Sequence, residues 1–422
     1  MKKMFLNLLL ALMLVLAVVP AMAEANDEPY TISYICSRSE TDALTMAIKD
    51  VVALYQETHP NFKMDIECIS DRTAYLQKIK ILAASDELPA WFDSDPDTFF
   101  ASLVDAGYVA DMEALYEELG VADKFFNISK EYARLADGRL NLFTLECNTE
   151  YFFYNKEIFA AAGIEALPTT MDELVAVCDK LVAAGYTPFT MGDVWPIFRY
   201  FAMVPFRMSG NDFIEQASAG KISWGSEVGI EGAKWMQKLA TYFPEGWTTI
   251  DYDTMMNLFT SGQAAMMYNG TWVTQNVCDE NGQLLPQFDT FNMPMFSEND
   301  ATGPSDYFAN SGIGTAVNVK NMDAQMKDFL KFFFETYPDV AINKHNKLPS
   351  IMPSNPESLA PIYQKIMQDA AAVGTYAKCW DVVIDSASLE TLNSATSDLA
   401  LGAITPEEWA AQLDAAIAEN VL

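Results

Sequence analysis

The sequence predicts an α/β protein built as two lobes, on three observations. At 422 residues, half of them apolar and 12% aromatic, the chain is too long for one ordinary core and has enough side chains to fill two. Its first part alternates strand-like and helix-like runs at the spacing of a parallel sheet. Further on, residues 151–189 read as one compact unit of strand, short helix and longer helix.

Residues 1–23 read as an export signal. Lys2 and Lys3 supply the positive start, and residues 5–19 form an apolar run short of the ~20 residues a spanning helix needs. Ala21, Met22 and Ala23 offer the small-x-small cleavage site, so Glu24 is the expected mature N-terminus. No later stretch is long and apolar enough to span a bilayer, and an exported, soluble protein is expected.

After a polar lead at 24–29, residues 31–36 form the first strand. The polar turn 37–41 holds candidate caps for a helix with Leu44, Ile48, Val51 and Tyr55 on one face, ending before Pro60. Residues 61–69 alternate as a second strand, 75–84 are helical, and 88–92 make a third strand that opens into Asp93, Ser94 and Asp95. The run Tyr151, Phe152, Phe153, Tyr154 fits a strand buried on both faces. Asn155 and Lys156 turn the chain, a short helix carries Ile158 and Phe159 inward, and Gly163 stops it. Thr170 and Glu173 make a capping box ahead of Leu174, Val177, Cys178 and Leu181, which recur at helical spacing until Gly185.

A helix then runs through Tyr200 and Val204, and another spans 226–242. A helix carrying Phe259 stops at Gly262, and 264–268 form a strand. Gly270 lets the backbone approach whatever lies at that strand's end, with Trp272 beside it. Residues 311–317 are a strand and 324–334 a helix. Pro406 opens the last acidic helix at its preferred first turn.

Composition excludes several functions. The formal charge of −32, or −34 without Lys2 and Lys3, has no offsetting basic cluster, so nucleic acid and anionic membrane are not expected partners. Six scattered cysteines without a C-x-x-C and only two histidines, His59 and His345, are not a metal pattern, and no metal or cofactor is expected. Cys36 and Cys68 end two strands that could be neighbours, but spacing fixes no pairing, and buried free thiols are expected. G-x-S-x-G, P-loop and H-E-x-x-H motifs are all absent, and no local motif marks a pair of catalytic carboxylates.

Two stretches carry a resemblance. The first is Tyr154-Asn155, then Phe159 and Gly163, Pro168-x-Thr170, an Asp-Glu-Leu helix, Gly185 and Pro188-Phe189. The second is Phe259-x-x-Gly262-x-Ala-Ala-Met266, then Gly270-x-Trp272. Together they resemble the extracellular solute-binding proteins of ABC importers, the maltose-binding-like family that mostly handles sugars. The resemblance implies a type II periplasmic-binding-protein fold: central mixed sheets flanked by helices, three crossings, and a ligand cleft between the lobes. It places lobe 1 at 24–143 and 307–350, and lobe 2 at 144–306 and 351–422, with crossings near 141–148 and 297–306. It implies a monomeric receptor that binds a sugar or oligosaccharide unaltered and docks on permease subunits. Many such proteins carry a lipid-bearing cysteine directly after the signal; Cys36 cannot serve, so a periplasm or another device must retain this one. A binding protein for a polyol, polyamine or metal complex, and a secreted carbohydrate-active enzyme, stay open as alternatives.

Sugars present apolar C–H faces and a rim of hydroxyls, so their sites combine flat rings with amides and carboxylates. In open α/β sheets ligands lie beyond the carboxyl ends of strands. That rule selects Ser37 and Arg38, Asp93, Ser94 and Asp95, Asn148, Trp195, and Asn269 with Trp272. The resemblance gives Trp272 the sugar-stacking role, likens Trp195-Pro196 to an aromatic-Pro loop, and sets Asn148 where some relatives place an acid. It also puts Ser311 and Gly312 at the cleft border, and Trp380 is a candidate from the C-terminal part.

Overall fold

The computed structural model describes residues 29–192 and 196–421; the predicted export signal and Trp195 lie outside them. Strands β1 (Tyr30–Cys36), β2 (Phe62–Cys68) and β3 (Trp91–Ser94) come first, followed by β4 (Asn148–Asn155), β5 (Thr187–Phe189), β6 (Ala264–Gly270) and β7 (Phe288–Phe291). The chain returns through β8 (Ala309–Asn310) and β9 (Gly314–Val317).

These strands make two separate sheets. One has the order β2-β1-β3-β9, parallel except for β9. The other has the order β5-β6-β4-β7, with β8 pairing the start of β4. Mixed sheets follow, as expected, and each is faced by helices.

Local signals account for most element ends. Thr170 and Glu173 close a reciprocal capping box on helix Met171–Ala183, and Thr405 and Glu408 do the same ahead of Pro406 on helix Pro406–Asn420. Replacing Thr170 by Ala is expected to cost about 1 kcal/mol, read as a shifted urea midpoint at unchanged slope. Helix Ala43–Gln56 is capped by Asp42, just past the expected turn, because its carboxylate accepts from the Leu44 and Thr45 amides.

Two boundaries differ from expectation. Strand β3 begins at Trp91, since Pro89 has no N–H to give a ladder. Helix Ala324–His345 runs well past residue 334 and carries Pro338 inside it. Its buried Phe329, Leu330, Phe333, Phe334, Tyr337 and Ala341 continue the packed face, and that burial outweighs the backbone bond proline forfeits.

The aromatic run of β4 has a specific explanation. All eight residues are buried, and the side chains alternate between two cores. Phe152 and Tyr154 join the cluster of the second sheet with Leu174, Tyr200, Met266 and Tyr268. Tyr151 and Phe153 join a different cluster with Phe126, Met267, Ile342, Leu348 and Tyr363. A period-two element wedged between two apolar bodies needs no polar face. The first sheet has its own core, with Tyr34, Trp91, Phe143 and Phe333 among its members.

Candidate functional site

The topology aims both sheets at one place. β1 and β3 run toward their carboxyl ends where β9 begins, and β5, β6 and β7 all run toward the side of their sheet from which β4 starts. Between these ends three segments lie side by side, tied by the bridges Phe143 to Thr315, Glu146 to Pro349 and Asn148 to Asn310.

On the side of the first sheet, Asp93 is a hub. Its Oδ1 accepts from the Tyr34 hydroxyl (2.7 Å) and the Thr315 hydroxyl (3.0 Å). Its Oδ2 accepts from the Ser37 amide (2.8 Å), the Ser37 hydroxyl (3.0 Å) and Arg38 Nη1 (3.0 Å). Arg38 also donates Nη2 to the Ile313 carbonyl at 3.1 Å. Burial works against the charge on Arg38, but Asp93 together with Tyr34, Glu146 and Asp42 more than offsets this and holds the guanidinium more firmly protonated than usual.

The expectation for Asp93 and Ser94 needs correction. Both lie inside β3, opposite Thr315 and Gly314, rather than in a loop beyond it. The protein's own donors occupy the Asp93 carboxylate, so it shapes the site without offering a free group. Arg38 and Asp93 form a buried pair, not a surface one. Asp95, just beyond, is exposed.

Along the crossings most groups are short and uncharged, Glu146 being an exception. Asn148 Nδ2 donates to Asn310 Oδ1 (3.4 Å), and the Thr271 hydroxyl donates to Asn148 Oδ1 (3.2 Å). Ser311 is buried and its hydroxyl meets that of Ser129 at 3.1 Å. Gly312 has φ +65°, a conformation that favours glycine, and a Cβ there would come within 2.2 Å of the Glu146 carboxylate and push it aside.

On the side of the second sheet, Trp272 is half-buried and its ring lies against Gly270, where a Cβ would come within 2.0 Å of it. The indole Nε1 donates to the Tyr252 hydroxyl (3.1 Å), which donates in turn to Asn269 Oδ1 (3.1 Å). Burial pushes the Tyr252 phenol up, so it keeps the proton this relay needs. Asn269 is thus fully buried behind Trp272 and orients it through Tyr252. Trp380 is not with these residues: its ring is enclosed by Phe201 (4.7 Å), Phe213 (5.5 Å) and Trp224 (5.5 Å) in the core of the second sheet.

Sequence reasoning missed three features. Tyr252 is one. Tyr132 and Tyr376, both half-buried, bring their rings to 6.5 Å across two distant segments. Glu150, at the start of β4, is fully buried against Arg199 of helix Pro196–Ser209, with N–O distances of 2.8–3.1 Å.

Among the described residues no group of His, Cys, Asp and Glu could hold a metal, and no helix is long and apolar enough to cross a membrane. His59 and His345 pair with Asp328 and Asp50 respectively, on the helical layer of the first sheet. A hollow of about 550 Å³ lined by Thr254, Asn257 and Gln263 opens at the other end of β6 and touches none of the residues above.

Comparison with known proteins bears on the whole arrangement. A family model described as bacterial extracellular solute-binding protein matches residues 38–336. An uncharacterised ABC transporter extracellular-binding protein of Pyrococcus horikoshii is 32% identical over 123 residues, 28% of each chain. The maltotriose-binding protein of Pyrococcus abyssi is 26% identical over 200 residues, 46% of this chain and 39% of that one. The chain thus spans well under half the length of these curated relatives. In three dimensions it resembles a chitin oligosaccharide binding protein, with a TM-score of 0.72 at 21% identity over 92% of this chain and 98% of the other.

Proposed function

The chain belongs to the family of bacterial extracellular solute-binding proteins, and from that premise we propose that it is the receptor of an ABC importer, closing its two lobes on a sugar or oligosaccharide. One observation carries the reading. Where both sheets point, an indole fixed by Tyr252 and Asn269 stands beside a row of amides and hydroxyls, while the charges of Arg38 with Asp93 and of Arg199 with Glu150 are neutralised in pairs. A flat ring and uncharged hydrogen-bonding groups suit a neutral ligand with C–H faces and hydroxyl edges. The maltotriose-binding relative and the chitin oligosaccharide neighbour support the same ligand class.

The lobes divide at the crossings, with the sheet of β1, β2, β3 and β9 in one and that of β4 to β8 in the other. The ligand bonds to the closed form more strongly than to the open one, and that difference drives closure. The protein is exported as a monomer, releases its ligand chemically unchanged and hands it to membrane permease subunits.

A thermal-shift screen over mono- and oligosaccharides, followed by calorimetry and product analysis of each hit, tests this. Stabilisation with the sugar recovered intact is expected. Cleavage of the sugar, or silence across the screen with response to another solute, overturns it. Replacing Trp272 by Ala is expected to weaken sugar binding by about 2 kcal/mol, roughly thirtyfold, at unchanged melting temperature. Unaltered affinity in a folded variant would remove Trp272 from the site.

A further inference from the structure

Cys36 and Cys68 are the last residues of β1 and β2 and are direct partners in the parallel register. Their Sγ atoms stand 3.4 Å apart and unbonded. Neighbouring strands lie about 4.8 Å apart, inside the roughly 4.4–6.8 Å span between Cα atoms that a disulfide accepts. The two sulfurs are thus placed within reach of each other on strands whose spacing a disulfide can bridge. Cys68 is half-buried and reachable from solvent, whereas Cys36 is buried. The other four cysteines lie on separate elements, at 147, 178, 278 and 379.

We propose that Cys36 and Cys68 are a disulfide-forming pair that ties the edge strand β2 to β1 outside the cell. An extracellular family places the chain where disulfides persist. The oxidant is a small or protein disulfide. The Cys68 thiolate attacks it, forming a mixed disulfide and releasing one thiol. Cys36 then loses its proton to solvent and displaces the second thiol, so two cysteine thiols become one S–S bond and the oxidant becomes two thiols. Burial pushes the Cys36 thiol up to about 12, so the first attack falls to Cys68, and the closeness of the two sulfurs brings Cys36 into the second, intramolecular step.

The bond would act next to the site. Cys36 directly precedes Ser37 and Arg38, which grip Asp93, and its carbonyl accepts from the Ile69 amide at 2.9 Å. Tying it to β2 restrains the turn that carries both.

The test incubates the purified protein with oxidised glutathione at mildly alkaline pH, unfolds it in guanidinium with N-ethylmaleimide, and maps the peptides by mass spectrometry. The expected result is a Cys36–Cys68 cross-linked peptide with two hydrogens lost and the other four cysteines labelled. Dithiothreitol should restore labelling of both and lower the melting temperature by about 3 °C or more, a shift absent in Cys68→Ser. Labelling of both after oxidation, pairing of either with another cysteine, or a persistent glutathione adduct overturns the proposal. None of these outcomes depends on which solute the cleft holds.

Discussion

Glu150→Ala is expected to lower stability by about 3–5 kcal/mol, because it leaves the Arg199 guanidinium buried without its carboxylate. Both side chains are almost wholly shielded, at 0% and 3% exposure, so water cannot replace the lost partner. The guanidinium also lies 5.3 Å from the centre of the Phe308 ring, a contact too weak to compensate. Urea unfolding provides the measurement. The double variant Glu150→Leu, Arg199→Met should recover much of the loss, since two apolar side chains carry no desolvation cost. A single variant less than 1 kcal/mol below the parent would show that the pair is not isolated from solvent.

Asp93→Ala should be of similar size, about 3–5 kcal/mol, for a different reason. Five donors converge on one carboxylate and four of them come from β1 and the turn after it. Its loss strands Arg38 and the Ser37 amide together, so the damage should concentrate at residues 34–38 and 313–315. Hydrogen exchange resolved by peptide would show faster exchange there than in the second sheet. Asp93→Asn keeps the acceptor toward Tyr34 and Thr315 but turns an N–H₂ toward Ser37 and Arg38, and should fall between alanine and the parent. Equal protection of both sheets in Asp93→Ala would refute the hub.

The architecture was legible in the sequence because apolar periodicity and capping are local. The aromatic run of β4, the Thr170–Glu173 box and the helix-Gly-strand unit at 259–270 each declare themselves within a few residues. The site was only partly legible. The strand-end rule selected Arg38, Asn148 and Trp272 as candidates and the resemblance added Ser311, yet the rule cannot tell a group offered to a ligand from one consumed by the fold. Asp93 and Asn269 are of the second kind, and only their tertiary partners reveal it. Trp380 failed for the same reason, since a tryptophan in a core and one on a rim look alike in one dimension. Arg199 did leave a trace: it is a lone charge among the apolar and aromatic residues 196–206, and a buried charge calls for a partner of opposite sign.

Because β4 plates two cores at once, its strand is anchored from both faces. Tyr151 and Phe153 share one cluster with Ile342, Leu348 and Tyr363, and lifting the strand away from it would wet those side chains at about 25 cal/mol for every Å² exposed. Any change of shape in this protein therefore has to leave β4 seated between its two cores.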